Sequence, residues 1–336
     1  MVRYLRPAAL SAAALVLLLA TDTTAASGGR FAFAKTVDRL PMAGWEAVAT
    51  VARAAAPGAT PGATPGATPS PSVSAAPSPQ PPPPPTVLAD PGRARLAGLT
   101  RTVFTGSAFD ACSAPPLGTM RAWRGASPYG AVGIYSSGRQ RACSQPLLTA
   151  DWVRQVRELG WRLLPIHAGR QAPCTASASR PQLIDPAHAV QQGREEAAEA
   201  VKGAGRIRIG PGAPIYLDLE AYPPGNASCA RAVIDFTLGW TQGLHTAGYF
   251  AGFYSSLDSS ITDLAAAARA GAAPLPDAVW YAHWDDRAST DGGGVLGADQ
   301  WSGHRRAHQQ HGTVQETHGG ARLDIDRDQL DTLVAR

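Results

Sequence analysis

From residue 99 onward, runs that read as strands alternate with runs that read as helices, and that alternation leaves the chain very few folds. Val103–Asp110 reads as a first strand, followed by a helical segment at Leu117–Trp123. Ala131–Ser136 is a second, and behind Thr149 as a cap, Trp152, Val153, Val156 and Leu159 form a helical stripe. Arg162–Ala168 is the third. Asp185 and Pro186 then open a helix running through Val201, the acid at the cap and the proline at the first helical position. Pro214–Tyr222 is the fourth strand, after which Ala230, Val233, Ile234, Thr237, Trp240 and Leu244 recur at helical spacing. Tyr249–Ser255 makes a fifth, a helix covers Ser259–Ala270, and Ala278–Trp284 makes a sixth. A short seventh strand falls within Asp299–Gln310 and an eighth at Arg322–Asp326. Eight strands in this order predict an α/β fold, a (β/α)8 TIM-type barrel over residues 99–336, with an open doubly wound sheet as the alternative.

The residues before the barrel have a different texture. Arg3 and Arg6 precede an apolar run from Ala8 to Ala20, and Thr24-Ala25-Ala26 offers small residues for cleavage, so residues 1–26 read as a secretory signal peptide. The run is shorter than the roughly 20 apolar residues a spanning helix needs, and no later stretch qualifies. The two arginines are not adjacent, which favours a Sec-type over a twin-arginine signal. The chain is therefore expected to be secreted, extracellular or associated with the cell wall, without a transmembrane segment. Residues 27–56 are Ala-rich and are given no structure. Residues 57–95 carry the repeat Pro-Gly-Ala-Thr and the prolines Pro81 to Pro85, with no charged residue between Arg53 and Asp90. That composition describes a disordered, semi-rigid linker.

Charge and cysteines narrow the partners. A net charge of +4 without a basic cluster interleaved with aromatics gives no reason to expect nucleic acid. Cys112, Cys143, Cys174 and Cys229 are the four cysteines, and an even number in an exported chain reads as two disulfides. Three pairings are possible. Loops following neighbouring strands favour Cys112 with Cys143 and Cys174 with Cys229.

Chemistry is expected at the C-terminal ends of barrel strands. In the fourth strand Ile215, Leu217 and Leu219 alternate with Tyr216, Asp218 and Glu220, so the two acids share a face. Paired carboxylates repel unless one holds a proton, which is the arrangement that general acid/base work on a glycosidic bond requires. Asp110 ends the first strand and Asp326 the eighth, completing a catalytic set of Glu220, Asp218, Asp110 and Asp326. Tyr222, Tyr254, Trp280, Trp284 and Trp301 are the candidate sugar-stacking aromatics, whereas Trp123, Trp152, Trp161 and Trp240 read as core. His304, His308 and His311 fall at i, i+4 and i+7 without an HExxH motif, and read as solvated or hydrogen-bonded side chains; no metal or cofactor is expected. Ser136-Ser137 and Ser255-Ser256 have no adjacent histidine and acid for a hydrolytic triad.

Several longer motifs occur in a specific order: Phe109-Asp110-Ala111-Cys112-Ser113-Ala114-Pro115, Ala131-Val132-Gly133-Ile134-Tyr135, Gln171-Ala172-Pro173-Cys174, Ile215 to Tyr222, Gly252-Phe253-Tyr254-Ser255-Ser256 and Asp324-Ile325-Asp326. In these the chain resembles the DUF1906 family, the Rv2525c-like glycoside-hydrolase-like domain, over roughly Thr102 to the C-terminus. That family is similar to the family 25 lysozymes. The resemblance implies that Glu220 stands at the general acid, Asp218 at the carboxylate that stabilises the oxocarbenium ion or assists the substrate's acetamido group, and Asp110 and Asp326 at the acids of the first and last strands. The cysteine-bearing loops are not part of the lysozyme pattern. The function expected is cleavage of peptidoglycan or a related cell-wall polysaccharide by a monomer. The alternative is a catalytically silent carbohydrate-binding or wall-remodelling protein on the same barrel.

Overall fold

The computed structural model describes residues 84–177 and 179–335. The signal peptide, the Ala-rich segment and most of the proline-rich linker lie outside them. Eight strands close a barrel in sequence order: β1 (Val103–Asp110), β2 (Ala131–Ser137), β3 (Arg162–Ala168), β4 (Pro214–Asp218), β5 (Phe250–Ser256), β6 (Ala278–Ala282), β7 (Arg306–His318) and β8 (Ala321–Leu333). After a short helix α1 (Arg93–Leu96), helices follow the first five strands: α2 (Leu117–Ala126), α3 (Ala150–Glu158), α4 (Ala189–Arg206), α5 (Ala227–Ala247) and α6 (Thr262–Arg269). Local chemistry sets their ends. The Thr149 side chain accepts from the Trp152 amide, Asp185 caps the turn leading into α4, and Asn226 caps α5 by accepting from the Cys229 amide.

The barrel and its closure stand, but the helical alternation stops after β5. β7 runs parallel to β6, whereas β8 is antiparallel to both β7 and β1. Gly319 and Gly320, both at positive φ, join β7 to β8 directly, and a two-residue connection permits only an antiparallel partner. Both strands are longer than their apolar patterns suggest. β8 continues past Asp326 because Asp328 and Leu330 also turn into the barrel, where Leu330 joins the interior cluster.

Two rings fill that interior. Tyr216 reaches from β4 to β8, its hydroxyl donating to the Leu333 carbonyl at 2.7 Å. A Cβ at residue 252 would lie 2.3 Å from the Tyr216 ring, so only glycine fits on the facing strand. Trp280 packs edge-on against Tyr216 and Tyr254 and donates its indole N–H to Asp328 at 3.1 Å. Outside the strands, the larger apolar cluster packs α2 to α6 onto the barrel.

The end of the composition-based linker belongs to the barrel. Thr86 and Leu88 exchange backbone hydrogen bonds with Ala273, and Leu96 is buried in the interior cluster with Phe250, Leu333 and Val334, at the floor. Asp90 and Asp277 flank His245 at 2.6 and 2.8 Å, and Arg93 reaches Asp277 at 3.0 Å. The boundary at residue 95 therefore moves back to about residue 86: Leu96 has an apolar pocket, and the charges of Asp90 and Arg93 have partners.

Two outcomes follow. A protein beginning at Gly98 should be less stable than one beginning at Pro84 by roughly 2–3 kcal/mol, the scale of one buried leucine, as measured by urea denaturation; equal midpoints would mean that the segment adds nothing. Burial by itself would lower the His245 pKa, but hydrogen bonds and charge from Asp277 and then Asp90 outweigh it, and the net direction is upward. The folded state then holds this proton more tightly than the unfolded chain, so its stabilisation is complete below about pH 6.5 and is lost as pH rises through the raised value. Melting temperature measured against pH should show that decline, and His245→Gln should flatten it.

Candidate active site

At the C-terminal ends of β1 to β6 the barrel opens into an acidic mouth. Asp110 closes β1, Asp218 closes β4, and Glu220 follows two residues on, beyond the end of regular pairing. Because β8 runs the opposite way, it enters at this end, and its register sets Asp326 beside Asp110. Tyr254 ties the four acids together. Burial first, then the negative charges of Glu220, Asp110, Asp218 and Asp326, push its hydroxyl well above the ordinary tyrosine value. Tyr135, from β2, is raised in the same way by burial and by Asp110, Asp218, Tyr254 and Glu220. Both tyrosines keep their protons.

Two further residues organise the charge, and neither stands out in the sequence. Gln309, on β7, donates through Nε2 to Asp110 Oδ2 at 2.8 Å and to Asp326 Oδ2 at 3.4 Å. Its Oε1 accepts from Tyr254 at 3.0 Å and from the Trp284 indole at 3.1 Å. Arg180, from the loop between β3 and α4, reaches Asp218 Oδ2 at 3.4 Å and Glu220 Oε1 at 2.5 Å, with a side chain only 9% exposed. Burial would lower its pKa, but Asp218 and Glu220 reverse the direction, so the guanidinium stays charged.

The Arg180 loop is fixed. Gln140 binds the carbonyls of Gly169 and Gln182 and the amide of Gln182, and its own carbonyl accepts from Arg180 at 3.1 Å. Cys174 is bonded to Cys229 and Cys112 to Cys143, so disulfides link the loop after β3 to the start of α5 and the loop after β1 to that after β2. Gln171 continues the barrel's hydrogen bonding above β4. Its Nε2 donates to the Asp218 carbonyl at 3.0 Å and its Oε1 accepts from the Glu220 amide at 2.7 Å.

Asp328 lies on β8 two residues beyond Asp326. Burial, then the charges of Asp110 and Asp326, raise its carboxyl well above the usual carboxylate range, against the opposing effect of the Trp280 N–H. It lies beneath the acids of the mouth, where burial and their charges favour its protonated form. Period-two alternation in a longer β8 is the signal that could have found it.

The aromatic candidates divide. Trp284, 52% exposed, lies at the mouth, its ring packed over β7 where a Cβ at residue 312 would come within 2.0 Å of it. Tyr254 is in the mouth as described. Trp280 is 1% exposed and fills the barrel, because its position in β6 points inward. Tyr222 is buried in the outer cluster and its hydroxyl donates to Asp263. Trp301 is buried before β7 begins, its indole bonded to the Pro276 carbonyl at the N-terminal end of β6, and so lies at the floor. None of these last three offers a ring face to a sugar.

The histidines of the i, i+4, i+7 pattern straddle a strand instead of a helix. His304 contacts Asp331, His311 contacts Asp286, and His308 is buried against main-chain carbonyls. Ser137, His167 and Glu196 form a hydrogen-bonded chain with spacings of 2.8 and 2.6 Å. It has the connectivity of a hydrolytic triad. Yet Ser137 and His167 are fully buried, and Ser137 packs against Gly203 of α4, so no substrate can approach and the chain serves to hold α4 on the barrel.

A closed eight-stranded barrel with carboxylates gathered at one mouth defines a glycoside-hydrolase-like barrel domain. The chain belongs to the family of Rv2525c-like, glycoside hydrolase-like domains, whose model matches residues 121–330. Among solved structures it is similar to an uncharacterised B. stearothermophilus protein, at 15% identity and a TM-score of 0.41 over 68% of this chain and 99% of that one. It is also similar to the catalytic domain of endolysin ply40 from bacteriophage P40 of Listeria monocytogenes (14% identity, TM-score 0.38, covering 68% and 94%). The Clostridium perfringens spore cortex lytic enzyme SleM is a third (11% identity, TM-score 0.43, 67% of each chain). The comparison with curated proteins found no match.

Gln171→Leu should destabilise the protein by about 1–3 kcal/mol, because it removes the acceptor of the buried Glu220 amide and the donor to the Asp218 carbonyl. Chemical denaturation checks this; an unchanged midpoint would show that the clamp above β4 is dispensable.

Proposed function

We propose that this protein hydrolyses glycosidic bonds in peptidoglycan or a related cell-wall polysaccharide. The observation that carries the reading is the gathering of four acids at one barrel mouth, where Gln309 joins Asp110 to Asp326 and Arg180 joins Asp218 to Glu220. Family membership and the resemblance to the family 25 lysozymes supply the substrate class. Glu220 is the proton donor to the leaving oxygen. Its side chain is 38% exposed, so it faces the solvent-filled part of the mouth, whereas Asp218 is buried and serves the positive charge that develops at the anomeric carbon. Asp110 and Asp326, held by Gln309, contribute negative potential and hydrogen-bond acceptors for sugar hydroxyls. Trp284 offers its exposed ring to the apolar face of a pyranose. In the same reading the chain is exported by its N-terminal signal and works outside the cell as a monomer. The two disulfides suit that compartment.

A specific observation favours a second reading. Arg180 engages both Glu220 and Asp218, which gives the acid and its partner a fixed counter-charge. A barrel so neutralised would bind wall glycan without cleaving it.

The test is release of new reducing ends from purified peptidoglycan, with co-sedimentation as the binding assay. Glu220→Gln should lower release by roughly two to four orders of magnitude, the scale of general-acid catalysis, while binding is retained. Wild-type protein that sediments with the glycan yet releases nothing would establish the binding reading in place of the catalytic one.

A further inference from the structure

Beside the mouth, on the Trp284 side, three side chains converge that the acid chemistry does not use. His283 and Asp285 flank Trp284 just after β6, and His308 lies on the neighbouring strand β7. One ligand atom from each lies within 4.8 Å of the others. His283 Nδ1 is 3.5 Å from Asp285 Oδ2, and His308 Nε2 is 3.6 Å from Asp285 Oδ1. Two ligands bound to a zinc-sized ion at about 2.0–2.1 Å in tetrahedral geometry stand about 3.3–3.4 Å apart, so these separations are close to those of a metal site.

Two independent features of the hydrogen bonding point to a cation. His308 is 2% exposed and sets both ring nitrogens against main-chain carbonyls, Nδ1 at 2.8 Å from Ser289 O and Nε2 at 2.7 Å from His283 O. Carbonyls only accept, and a neutral imidazole has one N–H, so one of the two contacts lacks a proton unless something positive lies there. Meanwhile His283 Nδ1 is buried and has no hydrogen-bond partner among the described residues. A metal ion would take the lone pairs of both histidines, with His308 Nδ1–H still donating to Ser289 O. That is the arrangement in which a second ring nitrogen fixes the tautomer of a ligating histidine.

We propose that His283, Asp285 and His308 form a binding site for a divalent cation of the zinc class, with the fourth position open to solvent. Two imidazoles and one carboxylate suit zinc, cobalt or nickel better than calcium or magnesium, which prefer all-oxygen shells. The ion would join the segment after β6 to β7 on either side of Trp284. It would hold the exposed indole over the mouth and take no part in the reaction. Metal binding does not depend on the protein being a hydrolase.

The mature chain, prepared without a polyhistidine tag and stripped with a chelator, should bind one equivalent of Zn2+ by calorimetry. Its melting temperature should rise with zinc concentration. Co2+ in place of zinc should give visible absorption bands of a four-coordinate site. His283→Ala and Asp285→Asn alter partly exposed side chains and should keep the far-ultraviolet circular dichroism of the parent, yet weaken zinc binding by about 100-fold or more, since loss of even an outer partner of a ligand costs about 10–100-fold. His308→Gln, which is buried, is secondary. Absence of a saturable equivalent, or unchanged affinity in both His283→Ala and Asp285→Asn, overturns the proposal. So does nitrogen-15 NMR showing His308 protonated on both nitrogens at pH 7 with zinc present, since an imidazolium paired with Asp285 would then be the cation.

Discussion

Four carboxylates in one barrel mouth repel one another, and much of the local structure supplies donors to offset that repulsion. Gln309 spans Asp110 and Asp326 with one amide nitrogen, Arg180 spans Asp218 and Glu220 with one guanidinium, and the Thr313 amide donates to Asp326. The fifth acid, Asp328, is deeper and is relieved differently: burial and the charges of Asp110 and Asp326 push its carboxyl toward the protonated form. Each donor has its own support. Gln309 is locked by Tyr254 and Trp284 on its carbonyl side, and Arg180 by the Gln140 carbonyl. An arrangement in which each charge has a fixed partner is preorganised, because little need move when positive charge develops on a substrate.

The antiparallel last strand makes that arrangement possible. Were β8 parallel like the others, its C-terminal end would be at the mouth, and Asp326 and Asp328 would lie toward the floor. The Gly319-Gly320 turn reverses the chain, so the start of β8 comes in over the mouth and pairs Asp326 with Asp110. Residues 283–305, between β6 and β7, contain Asp291-Gly292-Gly293-Gly294 and carry no helical periodicity, which explains why no helix intervenes there. Strand periodicity detects β7 and β8 as apolar patches but does not carry the direction of a strand. Direction comes from the length of the connection before it.

How much could be read from residues alone follows from the range of the interactions. The alternation around Asp218 and Glu220 is local and legible, as are the caps at Thr149 and Asp185. Arg180 and Gln309 act across 40 and 199 residues, on Glu220 and Asp110, and an isolated arginine or glutamine carries no pattern that announces this. Trp280 was a matter of parity: it shares the inward face of β6 with Ala278, and both belong to the interior cluster. Trp284 lies beyond the end of β6, where the barrel wall no longer covers it. At the N-terminus, composition placed the linker's end at residue 95, yet charge returns at Asp90, and Asp90 and Arg93 are the residues that dock on His245 and Asp277. The end of the proline run at Pro85 and the return of charge at Asp90 both lie closer to the boundary than residue 95 does.

The balance between catalysis and binding comes down to which oxygen of Glu220 faces the substrate. Oε1 is taken by Arg180, which is buried and fixed by Gln140. A guanidinium can only donate, so in the proposed reaction the proton that a leaving oxygen needs would sit on Oε2. Gln171 sets the direction of that side chain by holding the Glu220 amide and the Asp218 carbonyl together, and the Cys174–Cys229 bond ties the loop that carries Arg180 to the start of α5. The arginine thus acts on orientation as well as on charge. It holds Oε1 beside Asp218 and leaves Oε2 outside that ion pair. A donor presented in that way is compatible with hydrolysis provided that a bound sugar excludes water and weakens the pull of Arg180 on the shared carboxylate. The same geometry without such a change leaves an ion pair against which a glycan can only rest.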